Sequence, residues 1–149
     1  MSAQSGGVYD EIRTFLLSYC AAFNRFDSHA VTTHYALPAQ IATKEGQVTF
    51  RTLPEAESNS SALVAMYKNW GFSEARLDDA HIELLGEVFA SANVQWEVSR
   101  RGKLEPWRFR THYTLSRTSG HWKIIQAVAF QDMRMHPLRG SFAAPSTPP

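Results

Sequence analysis

The sequence predicts a single α+β domain in which helices come first and long strands come last. Apolar residues recur at intervals of three and four between Val8 and Phe26, which is the spacing of one helix face. From Ala75 onward they alternate with polar residues, which is the spacing of strands. Helices and strands grouped in this way along a chain favour helices packed on one face of a bent antiparallel sheet.

Two helices are predicted near the start of the chain. The first covers residues 8–26, whose apolar side chains form one continuous stripe. Asp27 follows at a position suited to an N-cap, because its carboxylate can accept hydrogen bonds from the free amides of a second, short helix over residues 28–35. Pro38 ends that helix, since the residue before a proline disfavours the helical conformation.

A short hairpin and a third helix come next. Residues 39–50 place apolar side chains on either side of a Lys-Glu-Gly turn, in which Gly46 can take a positive φ. The run SNSS after Pro54 offers N-caps for the third helix, and Gly71 can end it. The buried stripe of that helix comprises Leu63, Met66, Tyr67 and Trp70.

Four long strands are predicted in the second half of the chain. They cover residues 76–86, 89–99, 106–117 and 121–131. Turn signals separate them at Gly86, Gly102 and Gly120. The simplest arrangement of such strands is an antiparallel meander.

The length of 149 residues suits one compact domain, which is predicted to cover residues 8–132. Hydrophobic residues make up 44% of the chain and aromatic residues 12%, which is ample for a buried core. Residues 1–7 are expected to be flexible. Residues 136–149, rich in proline and serine, are expected to form a disordered tail.

Charge and cysteine content exclude several classes of function. The formal net charge is +1, so no overall electrostatic field favours nucleic acid or an anionic membrane. Cys20 is the only cysteine, and the histidines show no paired spacing, so neither a disulfide nor a metal site is expected. No cofactor motif is present. The amino terminus lacks the pattern of a secretory signal, and a cytoplasmic location is expected.

Two stretches of the sequence resemble the nuclear transport factor two-like superfamily. The stretch FLLSYCAAFNRFDSHAVTTHYA resembles the opening of that family, in which a helix ends just before an Asp and a second helix closes on an aromatic-Ala pair. The stretch RFRTHYTLSRTSGHWKII resembles the polyketide cyclase, or SnoaL-like, branch, in which a strand leads through a Gly turn to a Trp-Lys-Ile strand. The resemblance covers residues 8–131.

This resemblance implies a cone-shaped α+β fold with three helices on a strongly curved antiparallel sheet, enclosing a pocket. It also implies dimers formed through the outer face of the sheet. Members of the superfamily include isomerases, cyclases, dehydratases and non-catalytic binding modules, so the fold alone does not determine the function.

The ketosteroid isomerase pattern can be compared with this sequence position by position. Its helical hydroxyl donor corresponds to Tyr19, and its second donor falls near His112. Its general base corresponds to Thr43, which cannot take a proton at neutral pH. Glu45 keeps the same strand parity but lies at a turn. The resemblance therefore does not imply isomerase chemistry of that type.

Five residues are candidates for a functional site. The candidates are Tyr19 and His112 as catalytic groups, and Tyr35, Trp70 and Arg110 as ligand-binding groups. The hydroxyl of Tyr19 needs a partner, either a backbone carbonyl in the core or a ligand oxygen.

The orientation of the third long strand is open from sequence alone. Arg110 and His112 share one face of it, while Phe109, Thr111 and Tyr113 share the other. If the polar face points inward, a buried guanidinium needs an acidic partner or an anionic ligand. If it points outward, Arg110 and His112 lie at a rim or a dimer interface.

Two hypotheses follow for function. The first is a pocket that binds a small hydrophobic or aromatic molecule, with acid/base catalysis by an isomerase, cyclase or dehydratase as its enzymatic form. The second is a non-catalytic dimeric binding or assembly domain. In both cases a homodimer is expected, because three helices can cover only one face of the sheet and the last strand is apolar on both.

Overall fold

The computed structural model describes residues 2–102 and 104–132, which form three helices and one six-stranded sheet. The helices are α1 (Ser2–Asn24), α2 (Ser28–Thr33) and α3 (Leu53–Asn69). The strands are β1 (Tyr35–Thr43), β2 (Gly46–Phe50), β3 (Phe72–Leu85), β4 (Phe89–Arg100), β5 (Trp107–Ser116) and β6 (Lys123–Asp132). The predicted α+β class, the short hairpin and the four long strands are confirmed.

The sheet has the strand order β2-β1-β6-β5-β4-β3. The four long strands form the predicted antiparallel meander. One pairing departs from the prediction, because β1 runs parallel to β6, with Tyr35 opposite Ile124. The two strands are far apart in sequence, so no turn signal between them predicts their pairing.

The second helix ends two residues earlier than predicted. It stops at Thr33, and Tyr35 belongs to β1 instead. The backbone N–H of Ile124 donates to the carbonyl of His34 at 2.8 Å, so pairing with β6 begins at once and replaces a further helical turn. The predicted N-cap is confirmed: Asp27 accepts a hydrogen bond from the backbone N–H of Ala30.

Two helix starts also differ from the prediction. Helix α1 begins at Ser2, before the predicted start at Val8, because a helix can extend beyond its buried stripe by adding backbone hydrogen bonds. Helix α3 begins at Leu53, where Thr52 and Glu55 form a capping box that precedes the predicted SNSS caps. Gly71, with φ of 91°, follows its end as predicted.

Irregular pairing accompanies the bend in the sheet. The register shifts between Phe72 and Glu74 and between Leu77 and Asp79 on β3. It shifts again between Thr114 and Leu115 on β5. Such bulges bend strands and increase their twist, which lets the sheet curve around the helices.

The strand β5 shows which face of the sheet is inside. Phe109, Thr111 and Tyr113 are buried, whereas Arg110 and His112 are not. The inner face and the helices enclose a core that includes Ile12, Leu16 and Ile124, each of which is fully buried.

The outer face is polar along β4 and β5. Glu97 pairs with Arg76 and, at 2.8 Å, with Arg108. Arg110 donates from Nε to Gln95 Oε1 at 3.1 Å. These paired side chains form polar rows across the middle of the outer face.

The prediction that the last strand is apolar on both faces is correct only in part. Ile124 and Ala127 are buried on the inner face. On the outer face Gln126 donates to Gln40 at 3.0 Å, and the apolar residues include Ile125, Val128, which pairs with His112, and Phe130, which is 54% exposed. The predicted tail over residues 136–149 lies outside the described residues.

Candidate functional site

A small cavity lies between α1, α3 and the inner face of the sheet. Its volume is about 60 Å³. The lining is mostly aromatic and aliphatic, with a few hydroxyl groups and one thiol. The lining residues are Tyr19, Cys20, Phe23, Tyr35, Ile41, Leu63, Tyr67, Phe72, Ala75, Trp96, Val98, Phe109, Thr111, Tyr113 and Ala127.

Two tyrosines meet at the wall of this cavity. Tyr19 comes from the middle of α1 and Tyr35 from the first position of β1, and their hydroxyl oxygens lie 2.7 Å apart. Two hydroxyl groups carry two hydrogens, and only one of these lies between the two oxygens. The other hydrogen is not used by this pair.

Burial keeps these phenols neutral. It raises the pKa of Tyr19 well above the usual value of 10.0, and the neighbouring Tyr35 and Tyr113 raise it further. Burial likewise raises the pKa of Tyr35 to about 12. At physiological pH both side chains are therefore hydrogen-bond donors and not bases.

A third phenol completes the aromatic wall. The indole Nε1 of Trp96 donates to the hydroxyl of Tyr113 at 3.0 Å, which fixes that ring. The rings of Tyr19 and Tyr113 pack edge to face with centroids 5.8 Å apart. Burial raises the pKa of Tyr113 well above 10.0, so it too stays protonated.

Cys20 lines the cavity but is not a nucleophile. Its Sγ donates to the carbonyl of Ala75 at 3.2 Å. Burial, followed by the nearby Glu74, raises the pKa of the thiol to about 11. A thiol that stays protonated at neutral pH is a weak nucleophile, so Cys20 serves as an apolar lining residue with a satisfied S–H.

His34 lies beside the tyrosine pair without lining the cavity. Its Nδ1 donates to the carbonyl of Ala30 at 2.7 Å, and its Nε2 lies 3.0 Å from the hydroxyl of Ser18. Its ring packs against Tyr19 with centroids 5.4 Å apart. Burial lowers the pKa of His34, which favours the neutral ring as a support for Tyr19.

The structure places Tyr19 and Tyr35 together at the cavity and places Arg110 and His112 elsewhere. His112 lies on the outer face, where its ring nitrogens contact Asn93 and Thr114, each at 3.0 Å. Arg110 lies on the same face. A role inside the cavity requires the opposite face of β5, so the structure shows the outward of the two orientations that the sequence leaves open.

Trp70 is also outside the cavity lining. It caps the end of α3, is buried, and packs edge to face against Trp107 with centroids 5.5 Å apart. Its carbonyl accepts a hydrogen bond from Nε of Arg100 at 3.1 Å. Its ring belongs to the core at the end of the helix, and Tyr67, one turn earlier, reaches the cavity instead.

The polar residues at the first hairpin do not supply a base. Thr43 ends β1, and its hydroxyl accepts a hydrogen bond from the backbone N–H of Glu45 at 3.1 Å. Neither residue lines the cavity. Among the described residues, no group of three or more His, Cys, Asp or Glu side chains could hold a metal ion.

A second, smaller cavity adjoins the first. Its volume is about 20 Å³, and it lies between β1, β2 and the first half of α3. The two cavities share Tyr19, Tyr35, Ile41 and Leu63 in their walls. The tyrosine pair therefore stands between the two spaces. Asn59 and Ser60 line only the second one.

Sequence reasoning missed several lining residues. Tyr113 and Phe109 lie on the more apolar face of β5, and that difference between the faces is the signal that identifies the inner one. Cys20 and Phe23 continue the buried stripe of α1 beyond Tyr19. No local signal marks Asn59, which becomes a lining residue only through the packing of α3 on β1.

Comparison with known proteins identifies relatives by family and by fold. A family model described as NTF2-like protein (DUF6841) matches residues 10–132. No curated protein matches the chain.

In the described part of the chain, no helix is long and apolar enough to cross a membrane.

Three solved structures illustrate the likeness in fold. A single-residue variant of Rv3472, a protein of unknown function from Mycobacterium tuberculosis, has 13% identity and a TM-score of 0.72, over 88% of this chain and 75% of that one. An NTF2-like superfamily protein of Salmonella enterica has 17% identity and a TM-score of 0.65, over 86% of this chain and 93% of that one. A protein named as a candidate scytalone dehydratase, from Novosphingobium aromaticivorans, has 10% identity and a TM-score of 0.66, over 89% of each chain. These identities support a shared fold and no shared reaction.

Proposed function

We propose that this chain, which belongs to the NTF2-like family DUF6841, binds a small hydrophobic or aromatic molecule that carries one oxygen acceptor. The observation behind the proposal is the Tyr19–Tyr35 pair, with its hydroxyls 2.7 Å apart in a mostly apolar wall. An apolar cavity with a few convergent donors is the usual form of a small-molecule site.

The proposal is one of binding and orientation and not of acid/base catalysis. Proton abstraction needs a base within hydrogen-bond reach of the substrate. The described residues that line the cavity include neutral tyrosines and a protonated thiol, but no carboxylate and no histidine. A ligand carbonyl would accept the free hydroxyl hydrogen of the tyrosine pair, and the aromatic rings would contact its apolar body.

Binding requires side chains to move. A cavity of about 60 Å³ holds a few water molecules, whereas a site that admits benzene has a volume of about 150 Å³. Tyr19, Tyr35, Ile41 and Leu63 belong to the walls of both cavities, so these are the side chains whose movement would join the two spaces.

The experiment is a titration with two matched compounds, acetophenone and ethylbenzene, followed by chemical-shift changes in nuclear magnetic resonance spectra. They have similar shape and differ in the carbonyl oxygen. One hydrogen bond to that oxygen should make acetophenone bind about two- to tenfold more tightly. Absence of binding by both compounds, or equal affinity for them, would contradict the proposal.

A second candidate function is a homodimeric binding or assembly domain that uses the outer face of the sheet. Phe130 on β6 is 54% exposed, and the same strand contributes Ile125 and Gln126 to a concave surface of about 380 Å³ that Gln40 and Thr114 also line. Exposed aromatic residues are enriched in interfaces between proteins. Binding in the cavity and dimerisation through the outer face are compatible with each other.

A further inference from the structure

We propose that the smaller cavity beyond the tyrosine pair is a polar subsite, in which the side-chain amide of Asn59 recognises a second polar group of the ligand. The inference rests on the proposed function, since the ligand's carbonyl must first reach Tyr19 and Tyr35. It specifies the ligand class as an aromatic ketone, or a similar oxygen acceptor, with a hydrogen-bonding group at its far end.

Asn59 is a polar side chain of the smaller cavity whose hydrogen-bonding groups are not used within the described part of the protein. It lies on α3, is half-buried and lines the smaller cavity. Among the described residues its amide makes no side-chain hydrogen bond, although an amide offers two donor hydrogens and an accepting oxygen. Neither polar atom of this amide is both buried and unpaired, so water can reach the amide, and a ligand group that bonds to it replaces that water.

The neighbouring polar residue, Ser60, already has a hydrogen-bond partner within the protein. Ser60 is 5% exposed, and its hydroxyl is hydrogen-bonded to that of Thr32 at 2.9 Å, an interaction that ties α3 to α2. The rest of the wall is largely apolar, with Val31, Leu37 and Phe50 among its residues. Asn59 is therefore the group in this wall that can distinguish a polar ligand end from an apolar one.

The main cavity, the tyrosine pair and the smaller cavity follow one another in that order. Their order predicts the order of the chemical groups in the ligand. The main cavity, with its aromatic lining, takes the ring. The tyrosine pair stands between the cavities and takes the carbonyl oxygen. The smaller cavity takes a short polar end. A carboxamide matches the donor and acceptor pattern of Asn59, because two amides can form a reciprocal pair of hydrogen bonds.

The test uses 4-oxo-4-phenylbutanamide and the matched ketone in which an isopropyl group replaces the carboxamide. Dissociation constants are measured by calorimetry for the unmodified protein and for Asn59→Leu. The control variant is Ser58→Ala, which changes the preceding, exposed residue of the same helix. Thermal unfolding of each variant checks that the fold is intact.

The unmodified protein and Ser58→Ala should bind the carboxamide about tenfold more tightly than its isopropyl analogue. Asn59→Leu should remove or reverse that preference while it keeps the affinity for the isopropyl ketone within a few-fold. If the unmodified protein binds both ketones equally, or if Asn59→Leu keeps the preference, the subsite is refuted while the proposed function stands. If neither ketone nor acetophenone binds, the proposed function fails and the subsite fails with it.

Discussion

Asn24, the last residue of α1, pairs with the backbone of Ala75 on β3 through both of its polar atoms. Its Oδ1 accepts from the N–H of Ala75 at 2.7 Å, and its Nδ2 donates to the carbonyl of Ala75 at 3.1 Å. Since β3 is the edge strand of the sheet, the amide acts as a substitute for the missing neighbouring strand at this point. The pair fixes the end of α1, and with it the cavity residues Tyr19 and Cys20, against the sheet.

Replacing Asn24 with Ala should lower the free energy of unfolding by about 1–3 kcal/mol, because the N–H of a nearly buried Ala75 loses its partner. Denaturant unfolding measures the change. Asn69→Ala serves as the control, since Asn69 is exposed at the end of α3, and it should change stability by less than about 0.5 kcal/mol. Equal effects of the two substitutions would show that the Asn24–Ala75 pair does not hold the helix on the sheet.

The stability of the fold should fall in alkaline solution. The pKa of Tyr35 is about 12 in the folded chain, against the usual 10.0, and burial also raises the pKa of Tyr19 and Tyr113. The folded state therefore holds these protons more tightly than the unfolded state, so this stabilisation is complete below pH 10.0 and is lost as pH rises toward 12. Thermal unfolding across this range should show the decline, and Tyr35→Phe should make it shallower. A decline of unchanged steepness in Tyr35→Phe would contradict the assignment to Tyr35.

Self-association should depend on the outer face of the sheet. A stable homodimer would bury on the order of 1,200 to 2,000 Å² in total. Substitution of the exposed Phe130 with Lys should convert dimers to monomers, whereas Leu17→Lys, at a similarly exposed position on α1, should not. Light scattering at micromolar concentration measures the mass. A mass of 16.8 kDa for the unmodified protein would identify a monomer and contradict the prediction.

The sequence predicts most of the secondary structure because local spacing records which side chains face the core. Alternation along β5 shows two faces, and the more apolar of the two is the inner one. Burial of Phe109 and Tyr113 in place of Arg110 and His112 follows from the cost of removing charged groups from water. A role for Arg110 or His112 inside the cavity would require the opposite face of the strand.

Contacts between distant segments are less accessible to sequence reasoning. Tyr19 and Tyr35 are both predicted site residues, yet their contact depends on where β1 begins, and that is decided by parallel pairing with β6. The smaller cavity depends in the same way on the packing of α3 against β1. Asn59 therefore has no sequence signal, since its position in a helix is compatible with full exposure.

The affinity for acetophenone of four proteins tests the central claim most directly: the unmodified chain, Tyr19→Phe, Tyr35→Phe and the double variant. Each single variant keeps one hydroxyl with a free hydrogen at the cavity, so each should lose affinity by a few-fold at most. The double variant should bind acetophenone no more tightly than ethylbenzene. Tyr9→Phe, at an exposed position of α1, is the control and should bind as the unmodified chain does. A double variant that still prefers acetophenone would contradict the assignment of the tyrosine pair as the ligand's hydrogen-bond donor.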